Sequence, residues 1–357
     1  MNSLLRQSPP LPLEDLEHVL THTRDLWEEL RGQQIFITGG TGFFGLWLLE
    51  TFAYANDRLS LGAHASVLTR NPEAFAIKAP HLAVRTDLQF IQGDVRRFQF
   101  PEGEFSFVIH AGTTSGSPVE PLEMFDTITL GTRRVLDFAA SHGTRKLLFT
   151  SSGGVYGKQP PEMTHIPEDY LGAFDSMDTS AAAAYGGGKR AAEMLCILNS
   201  RRHGFEAKIA RGFTFVGPHL PLDAHFAIGN FIRHALRGGA VQVQGDGTPF
   251  RSYLYAADLA VWLWTILFRG TPARAYNVGS RDEVSISQLA VLVGSTLGNP
   301  YPVQASQPAV PGEPPSRYVP DVNRAEVELG LRQTVALPEA IRRTANWGHS
   351  TSQSSPA

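Results

Sequence analysis

The most informative segment of the chain is Ile35-Phe36-Ile37-Thr38-Gly39-Gly40-Thr41-Gly42-Phe43-Phe44-Gly45. Its apolar, β-branched beginning predicts a short strand, and the apolar residues 46–52 that follow predict a helix. Three glycines have separate purposes: Gly39 permits a tight turn, Gly42 lets a pyrophosphate approach the backbone, and Gly45 lets the helix pack on the strand. The free N–H groups and the positive dipole end of the helix favour phosphate there. The segment therefore predicts a turn that binds a dinucleotide.

The composition is typical of a globular protein with a sizeable core. Of 357 residues, 42% are hydrophobic, which allows one large domain or two smaller ones. The formal net charge is −3 and the pI is about 6.5, so the chain as a whole has no electrostatic footprint for nucleic acid or an anionic membrane. We expect neither among its partners. The sequence shows no membrane span and no secretion-signal pattern, so we expect a cytoplasmic protein.

Cys196 is the only cysteine, which excludes an internal disulfide and a cysteine-based metal site. Its neighbours are apolar at helical spacing, so we predict a buried thiol. The histidines do not cluster at metal-ligand spacing, and we predict no metal site.

Strand and helix patterns alternate from residue 33 to about residue 150, which predicts an α/β fold whose parallel sheet has helices on both faces. The predicted strands are 34–38, 65–69, 88–92, 106–110 and 146–151, and the clearest predicted helices are 13–31, 126–142 and 181–202. The first of these helices either packs on the domain surface or serves as a dimer or lid element. We expect an N-terminal arm and helix (1–32), a dinucleotide-binding domain (33–210), a region that is mainly substrate-binding lobe with some segments returning to the first domain (211–345), and a disordered tail (346–357).

Tyr185 and Lys189 share one face of the third predicted helix, four residues apart in the sequence Tyr-Gly-Gly-Gly-Lys. An ammonium near a phenol favours the phenolate and lowers the phenol pKa, which suits Tyr185 to acid–base chemistry near neutrality. Such a pair alone is common and is usually a surface pair. The three intervening glycines are unusual in a helix, and they indicate either a close approach by substrate or a partner helix, or a frayed helix start.

Ser151 and Ser152 end the fifth predicted strand. Ligands of parallel sheets bind outside the carboxyl ends of the strands, so a serine there can hydrogen-bond a sugar hydroxyl or a carbonyl oxygen. The alternative is that it only caps the strand end.

The order of these motifs resembles that of the extended short-chain dehydrogenase/reductase family, and more closely its nucleotide-sugar epimerase/dehydratase group. The glycine turn (39–45), the Ser-Ser-x-x-Val-Tyr-Gly segment (151–157) and the Tyr-x-x-x-Lys pair (185–189) follow one another as in that family. Further segments that resemble the family are 93–95, 108–112, 131–132, 211–218, 251–258 and 276–279. The resemblance covers residues 35–280 and implies a Rossmann-type doubly wound parallel sheet, a smaller C-terminal α/β substrate-binding lobe and a homodimer.

The resemblance also implies a role for each site residue. Tyr185 is then the acid/base on the sugar hydroxyl, Lys189 binds the nicotinamide ribose and lowers the tyrosine pKa, and Ser152 holds the reacting oxygen. The implied cofactor contacts are Gly39, Thr41, Gly42, Phe43, Phe44, Gly45, Thr69, Arg70, Asp94, Val95, Ala111, Gly112, Thr113, Ser151, Tyr185 and Lys189. The implied substrate contacts are Thr114, Ser152, Gly153, Thr214, Arg251 and Arg317. Arg251 matches the arginine that binds the nucleotide diphosphate, for which a guanidinium is well shaped.

Two glycines depart from the family pattern and bear on the reaction. Dehydratases and decarboxylases of the group carry an acidic residue just after the strand-end serine or threonine, where this chain has Gly153 and Gly154. Without that proton donor we favour simple redox chemistry at C4 of a nucleoside-diphosphate sugar, either epimerisation or ketone reduction. A 4,6-dehydratase remains the alternative if a carboxylate arrives from residues 162–178. A catalytically silent dinucleotide-binding regulator is the alternative of another class, and the intact Tyr185–Lys189 pair disfavours it.

The end of the second predicted strand bears on the choice of cofactor. NAD-specific members usually carry an acidic residue there for the ribose 2′-hydroxyl, whereas this chain has Thr69-Arg70-Asn71. Arg70 suits a 2′-phosphate, which favours NADP over NAD, unless the side chain stacks on adenine or faces solvent.

The substrate-binding segments depart from the family as well. Thr214 stands where the family has an asparagine, and it is a shorter donor for the diphosphate. The family's later arginine is missing before Gly312, and Arg317 is the candidate substitute.

Overall fold

The computed structural model describes residues 7–112, 119–172, 174–175, 177–224, 226–299 and 302–353, with side chains up to residue 348. Its strands, in chain order, are β1 (Gln34–Thr38), β2 (His64–Thr69), β3 (Leu88–Gln92), β4 (Phe107–His110), β5 (Lys146–Ser152), β6 (Glu206–Gly212), β7 (Phe215–Val216), β8 (Val241–Val243), β9 (Phe250–Ser252), β10 (Leu254–Tyr255), β11 (Arg274–Val278), β12 (Glu283–Ser285), β13 (Val303–Ala305) and β14 (Arg317–Tyr318). Its α-helices, in chain order, are α1 (Leu13–Thr23), α2 (Phe43–Leu59), α3 (Pro72–Lys78), α4 (Pro80–Ala83), α5 (Pro121–Ser141), α6 (Ala181–His203), α7 (Ala227–Leu236), α8 (Ala256–Arg269), α9 (Ile286–Thr296), α10 (Asn323–Leu329) and α11 (Leu337–Gln353). Residues Arg24–Leu30 and Gly153–Tyr156 form 3-10 helices.

Within the described residues, the central sheet has seven strands in the order β3-β2-β1-β4-β5-β6-β11. β1 pairs in parallel with both β2 and β4, so that Ile35 lies opposite Ala65 on one side and Phe107 on the other. The pairs β2–β3 and β4–β5 are parallel as well. The strand order reverses at β1, and ligands of such sheets bind at the carboxyl ends beside the reversal. The predicted α/β fold with a doubly wound parallel sheet is confirmed.

The five predicted strands agree with β1 to β5 to within one residue at each end. α6 also lies where it is expected, but α5 begins at Pro121 rather than at residue 126. The earlier start has a local cause: the Glu120 carboxylate accepts a hydrogen bond from the Glu123 N–H, and proline suits the first helical position.

Aromatic side chains fill the layer between the sheet and the helices α5 and α6. The Phe36 ring of β1 lies 4.4 Å from the Phe138 ring of α5 and 5.4 Å from the Phe98 ring, measured between centroids. Cys196 of α6 is buried in the same cluster. Its predicted burial is confirmed, and burial raises the pKa of the thiol, as in structural rather than reactive cysteines.

The N-terminal helical segment packs on the surface of the sheet domain. It is α1 followed by the 3-10 helix rather than one continuous helix over 13–31. Trp27 is fully buried, with its ring 4.7 Å from that of Trp264 on α8, and the Trp264 indole N–H donates to Thr51 Oγ1 on α2 at 3.0 Å. These contacts favour a packing role for the segment over a lid.

The chain divides into two compact units. The first unit contains Met1–Gly157, Phe174–Arg211 and Ala260–Tyr276, and the second contains Lys158–Ala173, Gly212–Leu259 and Asn277–Ala357. Residues Ala260–Tyr276 thus belong to the first unit although they follow residues of the second in the chain. Residues 158–173, expected in the dinucleotide-binding domain, belong to the second unit instead, because Ile166 pairs with Pro320 and its N–H donates to the Val319 carbonyl.

The C-terminal segment differs from the expected disordered tail over 346–357. α11 continues through residue 353, and residues 354–357 lie outside the described part of the chain. The helix is not interrupted because no proline occurs between Pro338 and Pro356. An ion pair of 2.8 Å between Glu339 and Arg343 supports its first turns.

Candidate active site

The glycine turn after β1 has the close contacts that its sequence predicts. Gly39 has a φ of +74°, and a Cβ there would lie 2.4 Å from the carbonyl oxygen of Ala111. A Cβ on Gly45 would lie 2.3 Å from the Gly39 oxygen. Only glycine fits at these two positions.

Gly42 faces the open side of the same turn. It is exposed, and a Cβ there would meet described atoms no closer than the Gly39 oxygen at 3.6 Å. Gly42 is also the N-cap of α2. Because glycine has no side chain, no N-cap side chain accepts a hydrogen bond from the first N–H groups of the helix. An open backbone surface at the start of a 17-residue helix fits a pyrophosphate.

A buried hydrogen-bond network supports this turn from below. The Gly112 N–H donates to Thr38 Oγ1 at 3.0 Å, and Thr38 Oγ1 lies 2.7 Å from His110 Nδ1. His110 Nε2 lies 3.0 Å from Thr132 Oγ1 on α5. Burial, together with the charge of Lys189, lowers the pKa of His110 to about 3, so the ring is neutral at neutral pH. Sequence analysis did not single out this network.

The residues after β2 and β3 form the adjacent side of the candidate cofactor site. Arg70 is exposed and makes no hydrogen bond or ion pair with any residue in the described part of the chain. Asp94 is held by Arg96, whose Nη2 lies 2.6 Å from Asp94 Oδ2, and this contact lowers the pKa of Asp94 to about 2. Lys78 on α3, which the sequence did not single out, reaches back to the turn, and its Nζ donates to the Thr41 carbonyl at 3.1 Å.

The predicted catalytic residues come together at the end of β5 and the start of α6. The Ser152 hydroxyl lies close enough to the Tyr185 phenol to act on its pKa. Ser152 Oγ also accepts the Gly154 N–H at 3.1 Å, which caps the 3-10 helix. Lys189 is buried, and its Nζ donates to the Thr150 carbonyl at 2.8 Å and lies 5.9 Å from the centroid of the Tyr185 ring.

The pKa values of the two residues differ from the expectation. Burial raises the pKa of Tyr185, and the opposing effect comes from the Ser152 hydrogen bond rather than from Lys189. Burial also lowers the pKa of Lys189 to about 8, while Glu193 acts in the other direction. The prediction of a lowered Tyr185 pKa is therefore wrong, because burial outweighs an ammonium whose hydrogen bond goes to a backbone carbonyl.

Two of the three glycines between Tyr185 and Lys189 have a packing role. A Cβ on Gly186 would lie 2.4 Å from Phe174 Cζ and 2.5 Å from the Gly154 oxygen, and a Cβ on Gly188 would touch Ile128 of α5 at 3.4 Å. Gly187 faces open space. The helix start is not frayed, since Ser180 Oγ accepts the Ala183 N–H at 3.2 Å as its N-cap.

In the second unit, Arg251 has the properties of an anion site. Burial lowers its pKa, and its Nη1 donates to the Phe250 carbonyl at 2.7 Å. Within the described residues it forms no ion pair with a carboxylate. A partly buried guanidinium in this state suits an anionic ligand.

The other two predicted substrate residues of the second unit are engaged by the protein itself. Arg317 forms an ion pair with Glu283 and stacks on the Phe250 ring, with its Cζ 4.3 Å from the centroid. The Thr214 hydroxyl donates to the Ser252 carbonyl, which leaves it only as an acceptor for other groups. Two predicted contacts, Thr113 and Thr114, lie outside the described residues.

In the described part of the chain, no three or more His, Cys, Asp or Glu side chains are grouped so that they could hold a metal ion. Of the helices described, none is both long and apolar enough to cross a membrane.

The model of the NAD dependent epimerase/dehydratase family matches residues 35–279 of the sequence. The chain belongs to this family. The match begins at the strand before the glycine turn and ends just after β11, so it includes both the turn and the Ser152–Tyr185–Lys189 group. The resemblance expected from the motifs is thereby confirmed.

Curated relatives of known activity are similar over most of the chain. UDP-glucuronic acid decarboxylase 1 of Xenopus tropicalis is 28% identical over 319 residues, which are 88% of this chain and 72% of that protein. UDP-glucuronic acid decarboxylase 3 of Arabidopsis thaliana is 29% identical over 312 residues, 86% of each chain.

Solved structures of the family share the fold. The UDP-glucose 4-epimerase of Thermotoga maritima, solved with UDP-glucose, has a TM-score of 0.73 at 21% identity over 89% of this chain and 99% of that one. The UDP-glucuronic acid 4-epimerase of Bacillus cereus, solved with NAD, has a TM-score of 0.72 at 19% identity, again over 89% and 99%.

Proposed function

We propose that the chain is an NAD(P)-dependent enzyme acting at C4 of a nucleoside-diphosphate sugar, either as a 4-epimerase or as a 4-ketoreductase. The observation that carries the proposal is an intact Ser152–Tyr185–Lys189 group beside two glycines, Gly153 and Gly154, where the family resemblance places a carboxylic acid in its dehydratases and decarboxylases. The group supports proton transfer at a sugar oxygen, and the glycines remove the acid that assists elimination.

The chain's own residues divide the work as follows. Gly39, Gly42 and the start of α2 hold the pyrophosphate, and the bound dinucleotide supplies the hydride acceptor and donor. Tyr185 gives its proton to, or takes it from, the C4 oxygen, and Ser152 hydrogen-bonds that oxygen. The Lys189 ammonium stabilises the phenolate that remains after proton donation. Arg251 binds the diphosphate of the substrate.

Three of the five carboxylates between residues 162 and 178 are engaged by the protein itself and are poor substitutes for the missing acid. Glu168 Oε1 accepts the Asn277 N–H at 2.9 Å, and Glu168 lies 3.8 Å from Arg324. Asp175 and Asp178 cap their own turns, each accepting a backbone N–H from two residues further on, at 2.9 Å and 2.8 Å. Carboxylates engaged in this way disfavour the 4,6-dehydratase alternative.

The similarity to decarboxylases favours a second candidate, decarboxylation of a UDP-linked uronic acid. Oxidation at C4 is common to the 4-epimerase and the decarboxylase, since a 4-keto group makes loss of a neighbouring carboxylate feasible. They differ in whether carbon dioxide is released, and Gly154 favours the reaction without release.

NADP is the favoured dinucleotide, because exposed Arg70 follows β2 and no acidic residue stands there. NAD stays open, since structures that share the fold contain it. A homodimer is also part of the proposal. Apolar side chains on α5 and α6, which pack against each other, are exposed: Leu122, Leu130, Met194 and Leu198.

The first test is to identify the dinucleotide released from the purified, denatured protein by mass and absorbance. Tightly held NAD supports an internal redox cycle and contradicts the NADP preference, whereas an empty site that takes up NADPH supports a ketoreductase. The protein is then incubated with added NADPH and with UDP-, dTDP-, GDP- and CDP-sugars, including uronic acids and 4-keto sugars, and the products are identified by NMR. Inversion or reduction at C4 without gas release supports the proposal. Release of carbon dioxide or formation of a 4-keto-6-deoxy sugar contradicts it, as does a complete lack of turnover.

A further inference from the structure

A buried carboxylate lies one helical turn beyond Lys189, and the proposed chemistry does not use it. Glu193 stands four residues after Lys189 and eight after Tyr185, so the three side chains share one face of α6. It is only 8% exposed. A carboxylate removed from water is costly unless hydrogen-bond donors and positive charge compensate it.

Glu193 has such partners on two other elements of the first unit. Ser151 Oγ on β5 donates to its Oε1 at 2.5 Å. Arg211 on β6 donates through Nε to Oε1 at 3.0 Å and through Nη2 to Oε2 at 2.7 Å. Arg211 Nη1 in turn donates to the Tyr156 hydroxyl of the 3-10 helix at 2.8 Å. The carboxylate therefore connects α6 to both strands and, through Arg211, to the 3-10 helix that follows Ser152.

The last three residues of β5 each contact one of three residues spaced four apart on α6. The pairs are Thr150 with Lys189, Ser151 with Glu193, and Ser152 with Tyr185. Ser151, the partner of Glu193, lies between Thr150 and Ser152. The Glu193–Ser151 contact thus fixes the residue between the two that contact Lys189 and Tyr185. A shift of about 1 Å in such a support is enough to lower a rate substantially.

The electrostatic surroundings of Lys189 give Glu193 a second effect. The titratable groups that interact with the ammonium are Glu193 and Cys196 on its own helix and His110 on β4. His110 is neutral and Cys196 is a protonated thiol at neutral pH, so Glu193 is the negative charge among them. It opposes the burial that lowers the lysine pKa.

We propose that Glu193 is a positioning residue of the redox site. Its carboxylate holds Ser151, and with it the neighbours Thr150 and Ser152, against α6, and it keeps the Lys189 ammonium charged. Only the expected effect of Glu193 on turnover rests on the proposed function.

The test measures dinucleotide affinity against pH, by calorimetry or tryptophan fluorescence, in full-length protein. We expect affinity in the wild type to fall as the pH rises through the pKa of Lys189, about 8, because the uncharged amine binds the ribose more weakly. Lys189→Met is expected to remove this step and so assigns it. Glu193→Gln is expected to move the midpoint down by about one pH unit, since it removes one nearby negative charge. Glu50→Gln is the matched control, because Glu50 is also buried and accepts a backbone N–H, from Leu11.

Turnover kinetics separate the effect of the Glu193 charge on Lys189 from its effect on the position of β5. Glu193→Asp keeps the charge but is one methylene shorter, so it is expected to keep the wild-type midpoint and to lower kcat at unchanged KM. Ser151→Ala leaves the Glu193–Arg211 ion pair in place, so it is also expected to keep the wild-type midpoint and to lower kcat at unchanged KM. This variant keeps the test decisive if Glu193→Gln does not fold.

An unshifted midpoint in Glu193→Gln, an equal shift in Glu50→Gln, or a wild-type kcat in Ser151→Ala overturns the proposal. If the wild type turns over no nucleotide sugar, the proposed function fails, but the comparison of midpoints needs only the dinucleotide and still tests Glu193.

Discussion

The Nζ atom of Lys189 lies 5.9 Å from the centroid of the Tyr185 ring and donates its hydrogen bond to a backbone carbonyl rather than to the phenol. The phenol has the Ser152 hydroxyl beside it instead, and burial raises its pKa. Tyr185 is therefore a neutral phenol at rest. A neutral phenol is suited to protonating a ketone oxygen, and a nearby ammonium stabilises the anion that forms.

Tyr185→Phe removes the transferable proton and keeps the ring. We expect kcat to fall by about 10²- to 10⁴-fold, because that is the usual contribution of a positioned acid or base. Dinucleotide affinity is expected to stay within about twofold. Steady-state kinetics and calorimetry measure the two effects. Tyr54→Phe is the control, since Tyr54 hydrogen-bonds Glu17 on α1; a comparable loss of kcat in that variant would count against the assignment.

The glycines of α6 give a matched pair of alanine substitutions. Gly187→Ala is expected to raise the free energy of unfolding by up to about 1 kcal/mol, because its Cβ enters open space and alanine favours helix. Gly186→Ala is expected to lower it by about 1–3 kcal/mol, since its Cβ would overlap Phe174 and the Gly154 carbonyl. Urea unfolding measures both. Gly186→Ala should also lower kcat because it displaces the turn after Ser152, and equal stability of the two variants would contradict this packing.

The burial of neutral His110 is expected to lower the free energy of unfolding in acid. Its pKa is about 3 in the folded protein and about 6.5 when unfolded. Between these values the unfolded chain binds a proton that the folded protein does not, so stability falls as the pH drops below about 6.5. In His110→Gln the slope of unfolding free energy against pH should be shallower by up to about 1 kcal/mol per pH unit. His64→Gln is the control, since His64 is exposed; a slope unchanged in both variants would show that His110 does not titrate in this way.

Arg70 and Lys78 should affect the two dinucleotides differently. Arg70→Ser is expected to raise the Kd of NADPH at least about tenfold, the effect of one lost charge-assisted hydrogen bond, and to leave that of NADH unchanged. Lys78→Met should weaken both dinucleotides equally, because Lys78 contacts the turn that holds their common pyrophosphate. Fluorescence titrations distinguish these outcomes. An equal weakening of both dinucleotides by Arg70→Ser would mean that Arg70 stacks on the adenine, and no effect on either would mean that it faces solvent.

The sheet could be predicted from the sequence because strand patterns are local, and the grouping of Ser152 with Tyr185 and Lys189 was expected from the order of the motifs. Strand periodicity located β1 to β5, and the glycine spacing located Gly39 and Gly45, whose contacts allow no other residue. Membership of residues 158–173 in the second unit depends on pairing with Pro320, far along the chain, for which no local signal exists. The raised pKa of Tyr185 depends on burial, which a helical spacing of four residues does not encode.

Polar residues that support the site were missed for a related reason. Glu193 carried one usable signal, since it continues the spacing of Tyr185 and Lys189 by another four residues. Its partner Arg211 comes from a strand 18 residues later, and only the folded chain brings them together.

Leu198→Glu tests the proposed homodimer. Leu198 is 57% exposed on α6, four residues after Met194, which is 64% exposed. If a second copy covers these helices, a buried glutamate without a partner would strongly oppose association. We therefore expect the wild type to sediment as a dimer and Leu198→Glu as a folded monomer. Val327→Glu on α10 makes the same change at a site that is 75% exposed and should leave the dimer intact. A wild-type monomer at micromolar concentration, or a dimer that survives Leu198→Glu, would place any association elsewhere than on these helices.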